Sequence, residues 1–212
     1  MPESPLADER FGVDVVSRAV SFNGHVWDVL TERFRYNDDQ LSRDFVQHPG
    51  AVAVMAFDDE DRFISIQQYR HPVRLREWEL PAGLLDLEGE HPLASAQREL
   101  AEEVDLAAAE WHVLTDYCTS PGGNDEVVRV FIARGLTPAV HDFARTGEEA
   151  DMVRRWVSLD DAMDAVLAGR VANSIFQVAV LTAHASRERG WSTLRPGDAP
   201  WPQLEWRNES RL

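Results

Sequence analysis

Apolar and polar residues alternate along the first half of the chain, and the period changes where the candidate chemistry begins. Residues 1–11 read as a loose leader. From Val13 to about Val46 the alternation is that of two or three short strands, within 13–20, 25–34 and 41–48, with Asn23 and Gly24 marking a hairpin turn. Residues 50–57 and 62–69 predict stronger strands, joined by the polar turn 58–61. A loop rich in Gly and Leu follows, then a helix over about 92–104, with Pro92 suited to the first helical position. Residues 111–118 and 127–133 again read as strands, separated by a turn over 120–124. A polar loop (141–152), a short strand near 155–158 and helices over about 159–168 and 174–188 complete the order. Residues 190–212 hold three Trp and three Pro without a clear period, which predicts an irregular tail, either mobile or packed on a partner chain. The predicted class is α+β, with an N-terminal strand layer over 1–45, a main domain over 46–189 and the tail over 190–212.

Charge removes several functions. The 212 residues carry 37 acids against 21 basic side chains, a net charge of −16, and every basic residue is arginine. Without lysine there is neither a phosphate-loop lysine nor a side-chain amine for Schiff-base chemistry. A sequence pI near 4.7 sets the chain against nucleic-acid backbones and anionic membranes as partners. The single cysteine, Cys118, excludes an internal disulfide and a multi-cysteine zinc site, and its strand setting predicts a buried, inert thiol. No apolar run approaches the roughly 18 residues of a membrane span, and the first twelve residues lack one altogether. A soluble, cytoplasmic protein is expected.

The informative stretch is residues 83–106. On a helical wheel with Glu99 at zero, Glu102 and Glu103 fall near −60° and +40°, so three carboxylates share one face. Leu93, Ala96, Leu100 and Val104 form the adjoining apolar stripe. A solvated acidic face is the ordinary explanation for such a run. Two carboxylates about 6 Å apart nevertheless repel by roughly 3 kcal/mol at an effective dielectric near 20, and a divalent cation reverses that sign. Hard oxygen ligands suit Mg²⁺ or Mn²⁺; zinc is disfavoured without convergent His and Cys.

This stretch resembles the Nudix box, G-x5-E-x7-R-E-U-x-E-E-x-G-U, where U is aliphatic. Gly83, Glu90, the run Arg98-Glu99-Leu100, the pair Glu102-Glu103 and Leu106 occupy its positions. Two departures stand out: six residues rather than five separate Gly83 from Glu90, and Asp105 stands where glycine is usual. The resemblance implies a Nudix fold of mixed β-sheets sandwiched by helices, and Mg²⁺-dependent hydrolysis of a nucleoside diphosphate derivative, with Mn²⁺ as the alternative metal. By motif position it gives Glu99, Glu102 and Glu103 as metal ligands together with the Ala82 carbonyl, and Glu90 and Arg98 as supporting residues. The lead-in around Glu79, Pro81, Ala82, Gly83 and Asp86 is similar to that of ADP-ribose pyrophosphatases, as are Gln68-Tyr69-Arg70 and Pro121, fifteen residues past the box.

That subfamily implies AMP and ribose 5-phosphate as products and a homodimer built through the N-terminal strands. It places the catalytic base on a late loop, here Glu148 with Glu149 as the alternative, and gives Glu103 a part in catalysis. Arg70 is expected to grip the diphosphate, Glu79 to accept from the adenine amino group, Pro121 to line the substrate, and Trp27 or Phe34 to stack on adenine. A Nudix hydrolase of another substrate, such as a sugar nucleotide, is the competing enzyme; a non-catalytic nucleotide sensor is the competing class.

Overall fold

The computed structural model describes residues 5–140 and 151–211. Glu148 and Glu149 lie outside the described residues. The chain divides into two compact units: one holds the residues through His48, the loop Ser120–Asp125 and the segment from Pro202 onward, and the other holds Pro49–Thr119 and Glu126–Trp201.

In the first unit, β1 (Asp14–Asn23), β2 (Asp28–Tyr36) and β3 (Asp39–Gln47) form an antiparallel sheet in that order. Asn23 pairs with Asp28, so the hairpin loop is residues 24–27 and begins one residue later than the Asn23-Gly24 signal suggests. Tyr36 pairs with Asp39 across a two-residue turn whose Asn37 takes φ 55°, a left-handed conformation that asparagine tolerates. The loop Ser120–Asp125 adds to the end of β3: the Val46 N–H donates to the Gly123 carbonyl at 3.0 Å and the Asp125 N–H to Val46 at 3.2 Å. The His48 N–H donates to Asp125 Oδ1 at 2.7 Å, and Arg211 pairs with the same carboxylate.

The second unit is built on β4 (Ala51–Ala56), buried at all six positions. Burial on both faces explains why its sequence is a continuous apolar run rather than an alternation. β4 runs parallel to β9 (Val127–Pro138) and antiparallel to β7 (Ala82–Leu84) in a five-stranded sheet, order β11-β8-β9-β4-β7, with β8 at Leu106–Cys118 and β11 at Arg195–Pro196. A smaller antiparallel sheet has the order β10-β5-β6, from Val153–Ser158, Arg62–Arg70 and Leu75–Glu79. The described helices are α1 (Pro92–Val104), α2 (Leu159–Leu167), α3 (Ser174–Arg187) and α4 (Pro202–Glu209), the last in the first unit. Mixed sheets with packed helices make the class α+β. Among the described residues no helix is long and apolar enough to cross a membrane.

Three expectations are corrected. The Gly- and Leu-rich stretch before α1 is not all loop: it contains β6 and β7, five and three residues long, which form by pairing with β5 and β4. Cys118 is exposed, because β8 ends there at the rim of the sheet rather than in its interior. Residues 190–212 are not irregular throughout: Arg195 and Pro196 pair with Val113 and His112, Trp201 is buried, and α4 begins at Pro202. Polar anchoring, not a periodic pattern, orders the stretch through Trp201. Arg129, 1 % exposed, forks onto Asp116 at 2.7 and 2.9 Å and donates to the carbonyls of Ala199 and Pro200 at 2.6 and 2.9 Å. Its guanidinium lies 4.7 Å from the Trp201 ring centroid. Arg195 joins the same Asp116 at 2.8 Å, and Arg134 lies 5.1 Å from the Trp191 ring.

Candidate active site

Helix α1 starts and stops on identifiable devices. His91 is the N-cap, its Nδ1 accepting from the Leu93 N–H at 3.2 Å, and Pro92 occupies the first turn. At the other end Asp105 is left-handed, φ 61° and ψ 33°, and its N–H closes onto the Ala101 and Leu100 carbonyls. This is the position where the motif usually has glycine; aspartate adopts the conformation at some cost, and its carboxylate pairs with Arg154 of β10. The extra residue before Glu90 lies in the connection from β7 to α1, where the Glu90 N–H donates back to Leu87 at 3.1 Å and Gly89 takes φ 77°. A loop that turns on its own hydrogen bond absorbs an insertion without moving the helix.

Leu100, Ala96 and Val104 bury the apolar stripe of α1 and leave its carboxylates against β7. Glu103, 6 % exposed, accepts from the Ala82 N–H at 2.9 Å through Oε2. Glu99 lies directly over Gly83: a Cβ there would stand 2.0 Å from Glu99 Oε1. Arg98 gathers the remaining acids. Its Nε and Nη2 fork onto Glu90, both at 3.1 Å, and its Nη1 donates to Glu99 at 2.6 Å and Glu102 at 3.1 Å. The guanidinium beside Glu90 holds that carboxyl below its usual range, and the three acids push the arginine up.

Three carboxylates (Glu90, Glu99 and Glu102) on one guanidinium, with Glu103 beside them on the Ala82 amide, leave a local charge of −3. Glu99, Glu102 and Glu103 border a cleft of about 390 Å³ that Ala82, Gly83 and Asp86 also line. Among the described residues no three His, Cys, Asp or Glu side chains converge as a ready metal shell. The reason is visible: Glu99 and Glu102 turn to Arg98, while Glu103 turns to the Ala82 amide. The donor chemistry still fits a hard divalent cation, since each donor is a carboxylate or carbonyl oxygen and the excess negative charge calls for one. Gly83→Ala tests the cradle. The added methyl must displace Glu99, so an activity loss of about tenfold or more is expected in a steady-state assay with thermal stability nearly unchanged; full activity would show that Glu99 does not act from this position.

Arg70 sits at the end of β5 and donates to both oxygens of Glu79, at 2.8 and 2.7 Å, while Gln68 Nε2 reaches Glu79 Oε2 at 3.1 Å. Glu79 is 4 % exposed. Sequence reasoning named Arg70 and Glu79 separately and missed that they are one bidentate pair with Gln68 beneath it. The signal was available in the alternation of β5 and β6, which places Gln68, Arg70 and Glu79 on a common face. In the first unit, Trp27 stacks on the His48 imidazole at 4.4 Å, Phe34 is half-buried on β2, and Pro121 is exposed.

Comparison with known proteins places this geometry. Residues 47–177 match the model of the NUDIX domain family. An ADP-ribose pyrophosphatase of Mycobacterium tuberculosis is 46% identical over 76% of this chain and 77% of its own length. An ADP-ribose pyrophosphatase of Bacillus subtilis is 38% identical over 71% and 81%, and a methanol dehydrogenase activator of Bacillus methanolicus 33% identical over 75% and 85%. The solved structure of an ADP compounds hydrolase shares the fold, with a TM-score of 0.71 over 87% of this chain and 99% of that one at 17% identity. With the family model spanning more than half the chain, and the box carboxylates gathered on one helix face beside the glycine that cradles them, this protein belongs to the NUDIX domain family.

Proposed function

We propose that this chain hydrolyses the diphosphate of ADP-ribose to AMP and ribose 5-phosphate, in a reaction that uses a divalent cation, Mg²⁺ or Mn²⁺. The observation that carries the reading is the packing of Glu103 and Glu99 against Ala82 and Gly83, which sets hard oxygen donors around one cleft. Two relatives named ADP-ribose pyrophosphatase, each aligned over more than two thirds of this chain, support the choice of substrate. The Ala82 carbonyl, Glu99, Glu102 and Glu103 would hold the cation, which when bound offsets the diphosphate charge and acidifies a coordinated water. The remaining work falls to the protein. A water oxygen bonds to one phosphorus, the bridging P–O bond breaks, and the carboxylate of Glu148, or of Glu149 as the alternative, takes the water proton.

Arg98 supports the cluster by fixing Glu90, Glu99 and Glu102. Arg70 grips the diphosphate, braced by its fork on Glu79, and Glu79 accepts from the adenine amino group. Trp27 or Phe34 stacks on adenine and Pro121 lines the substrate. The N-terminal strands join two copies into a homodimer. All ten positions of β1 are exposed, with Val16, Val20 and Phe22 at 49, 54 and 63%; apolar positions on a sheet call for a cover. Light scattering is expected to give twice the 24.0 kDa chain mass, and a monomer at micromolar concentration would refute the dimer.

The deciding experiment is phosphate-coupled hydrolysis of ADP-ribose, NADH, GDP-mannose and diadenosine polyphosphates with Mg²⁺. ADP-ribose is expected to have the highest kcat/KM, by about tenfold or more. Equal rates on all four, or turnover of a non-adenine substrate alone, would overturn the proposal.

A further inference from the structure

We propose that the second unit carries another small-molecule site, on the side of the β10-β5-β6 sheet facing away from the Arg70–Glu79 pair, and that it takes a nucleoside monophosphate. The strand register separates the two faces. Arg155 stands opposite Ser65, and Gln67 stands opposite both Val153 and Trp78, so these residues share one face. Arg154, Ile66 and Glu79 occupy the other, toward Asp105 and Arg70.

Helices α2 and α3 pack on the first face but do not fill it. Ser65, Ala162 and Ala165 are small where a helix–sheet interface is normally packed to crystal-like density, and a cleft of about 440 Å³ remains. That volume is within the range of small-molecule sites. Its floor is apolar and aromatic: Val171 and Phe176 are buried and Trp78 is half-buried. Ser65 does not compete for a ligand, since its hydroxyl donates to the Glu79 carbonyl at 2.8 Å.

The rim is ionic. Arg155 and Arg170 line the cleft with Asp161 and Asp164, all four exposed, and among the described residues none of them forms an ion pair. Among the described residues most other arginines are engaged with carboxylates or carbonyls. Two guanidiniums opening into one cleft suit a dianionic phosphate, whose three oxygens accept forked N–H bonds better than a lone carboxylate does. Two aspartates on the same rim are repelled by a bare anion and are satisfied by neutral donors. A nucleoside monophosphate supplies both kinds of group: phosphate for the arginines, base amino and ribose hydroxyl donors for the aspartates. Its flat base suits Trp78 and Phe176.

The probe is AMP, titrated by calorimetry into the full chain in EDTA, with adenosine and inorganic phosphate in parallel. One saturable event per chain is expected, with AMP binding at least about tenfold more tightly than either fragment. Arg155→Ala with Arg170→Ala, and separately Ala165→Trp to fill the cleft, should each weaken AMP by about tenfold or more. Glu103→Gln should leave its affinity unchanged, and matched thermal melts establish that the variants fold. Absence of saturable binding overturns the proposal. So does AMP affinity that ignores the arginine variants or follows Glu103→Gln, and so does phosphate binding as tightly as AMP, which would mark a simple anion site. The outcome is independent of the proposed reaction: failure to hydrolyse ADP-ribose would leave this titration intact, and failure of the titration would leave turnover intact.

Discussion

Glu103→Gln is expected to lower kcat on ADP-ribose by about a hundredfold or more, equivalent to about 3 kcal/mol of transition-state stabilisation, while the melting temperature shifts by only a few degrees. The two halves of that expectation rest on different atoms. Glu103 is 6 % exposed, and its Oε2 accepts from the Ala82 N–H at 2.9 Å. Glutamine is isosteric and keeps a carbonyl oxygen for that bond, so the link between α1 and β7 survives. What it removes is one negative charge, in a cluster whose proposed task is to hold a divalent cation against an anionic diphosphate. KM for Mg²⁺ should rise in the same variant. Unchanged turnover would take Glu103 out of the metal site, and a collapsed fold would mean that the carboxylate is structural.

Arg129→Ala carries the largest expected loss of stability, about 3–5 kcal/mol in chemical denaturation, or roughly 10 °C in melting temperature for a chain of this size. Nothing in that prediction concerns catalysis. Arg129 is buried on β9, satisfies Asp116 with a fork, caps two carbonyls of the segment leading to Trp201 and lies over the Trp201 ring. Truncation leaves buried acceptors without donors and an aromatic without its cation, which costs more than the bonds themselves contribute. Lysine should not rescue it, because a single ammonium cannot reproduce the planar fork. Limited proteolysis should cut first within 191–201. A loss under about 1 kcal/mol would show that the tail is held by other contacts.

The sequence disclosed the parts of this molecule that follow a period. β4 and β5 were legible because buried and half-buried strands leave runs and alternations, and α1 because its apolar stripe and acidic face recur at helical spacing. β6 and β7 were not, since five and three residues carry too little pattern and Ala82-Gly83-Leu84 has no strand preference of its own. Arg129 was overlooked although a lone arginine within the apolar run 127–133 is itself a signal: a charge in a buried strand needs a partner, and Asp116 stands directly across the ladder. The box residues could be named from the resemblance to the family motif, but not that Glu99 lies on Gly83 or that one arginine holds three acids. Those depend on how β7 meets α1, two elements far apart in period and joined by a loop.

The two ends of α1 differ in how they tolerate a change of length. Upstream, the connection from β7 has room for the added residue that this chain carries. Downstream, Asp105 alone separates the last residue of α1 from the first of β8. An insertion there must either turn the helix by about 100° or shift β8 by one position and reverse its faces. The first would swing Glu99 and Glu103 away from Ala82 and Gly83, and the second would take the buried Val113 out of its pairing with Phe131. Asp105 therefore works as a phasing pin. It locks the rotation of the carboxylate helix to the register of the sheet, and evolutionary changes in length at this site should accumulate on the β7 side of the helix only.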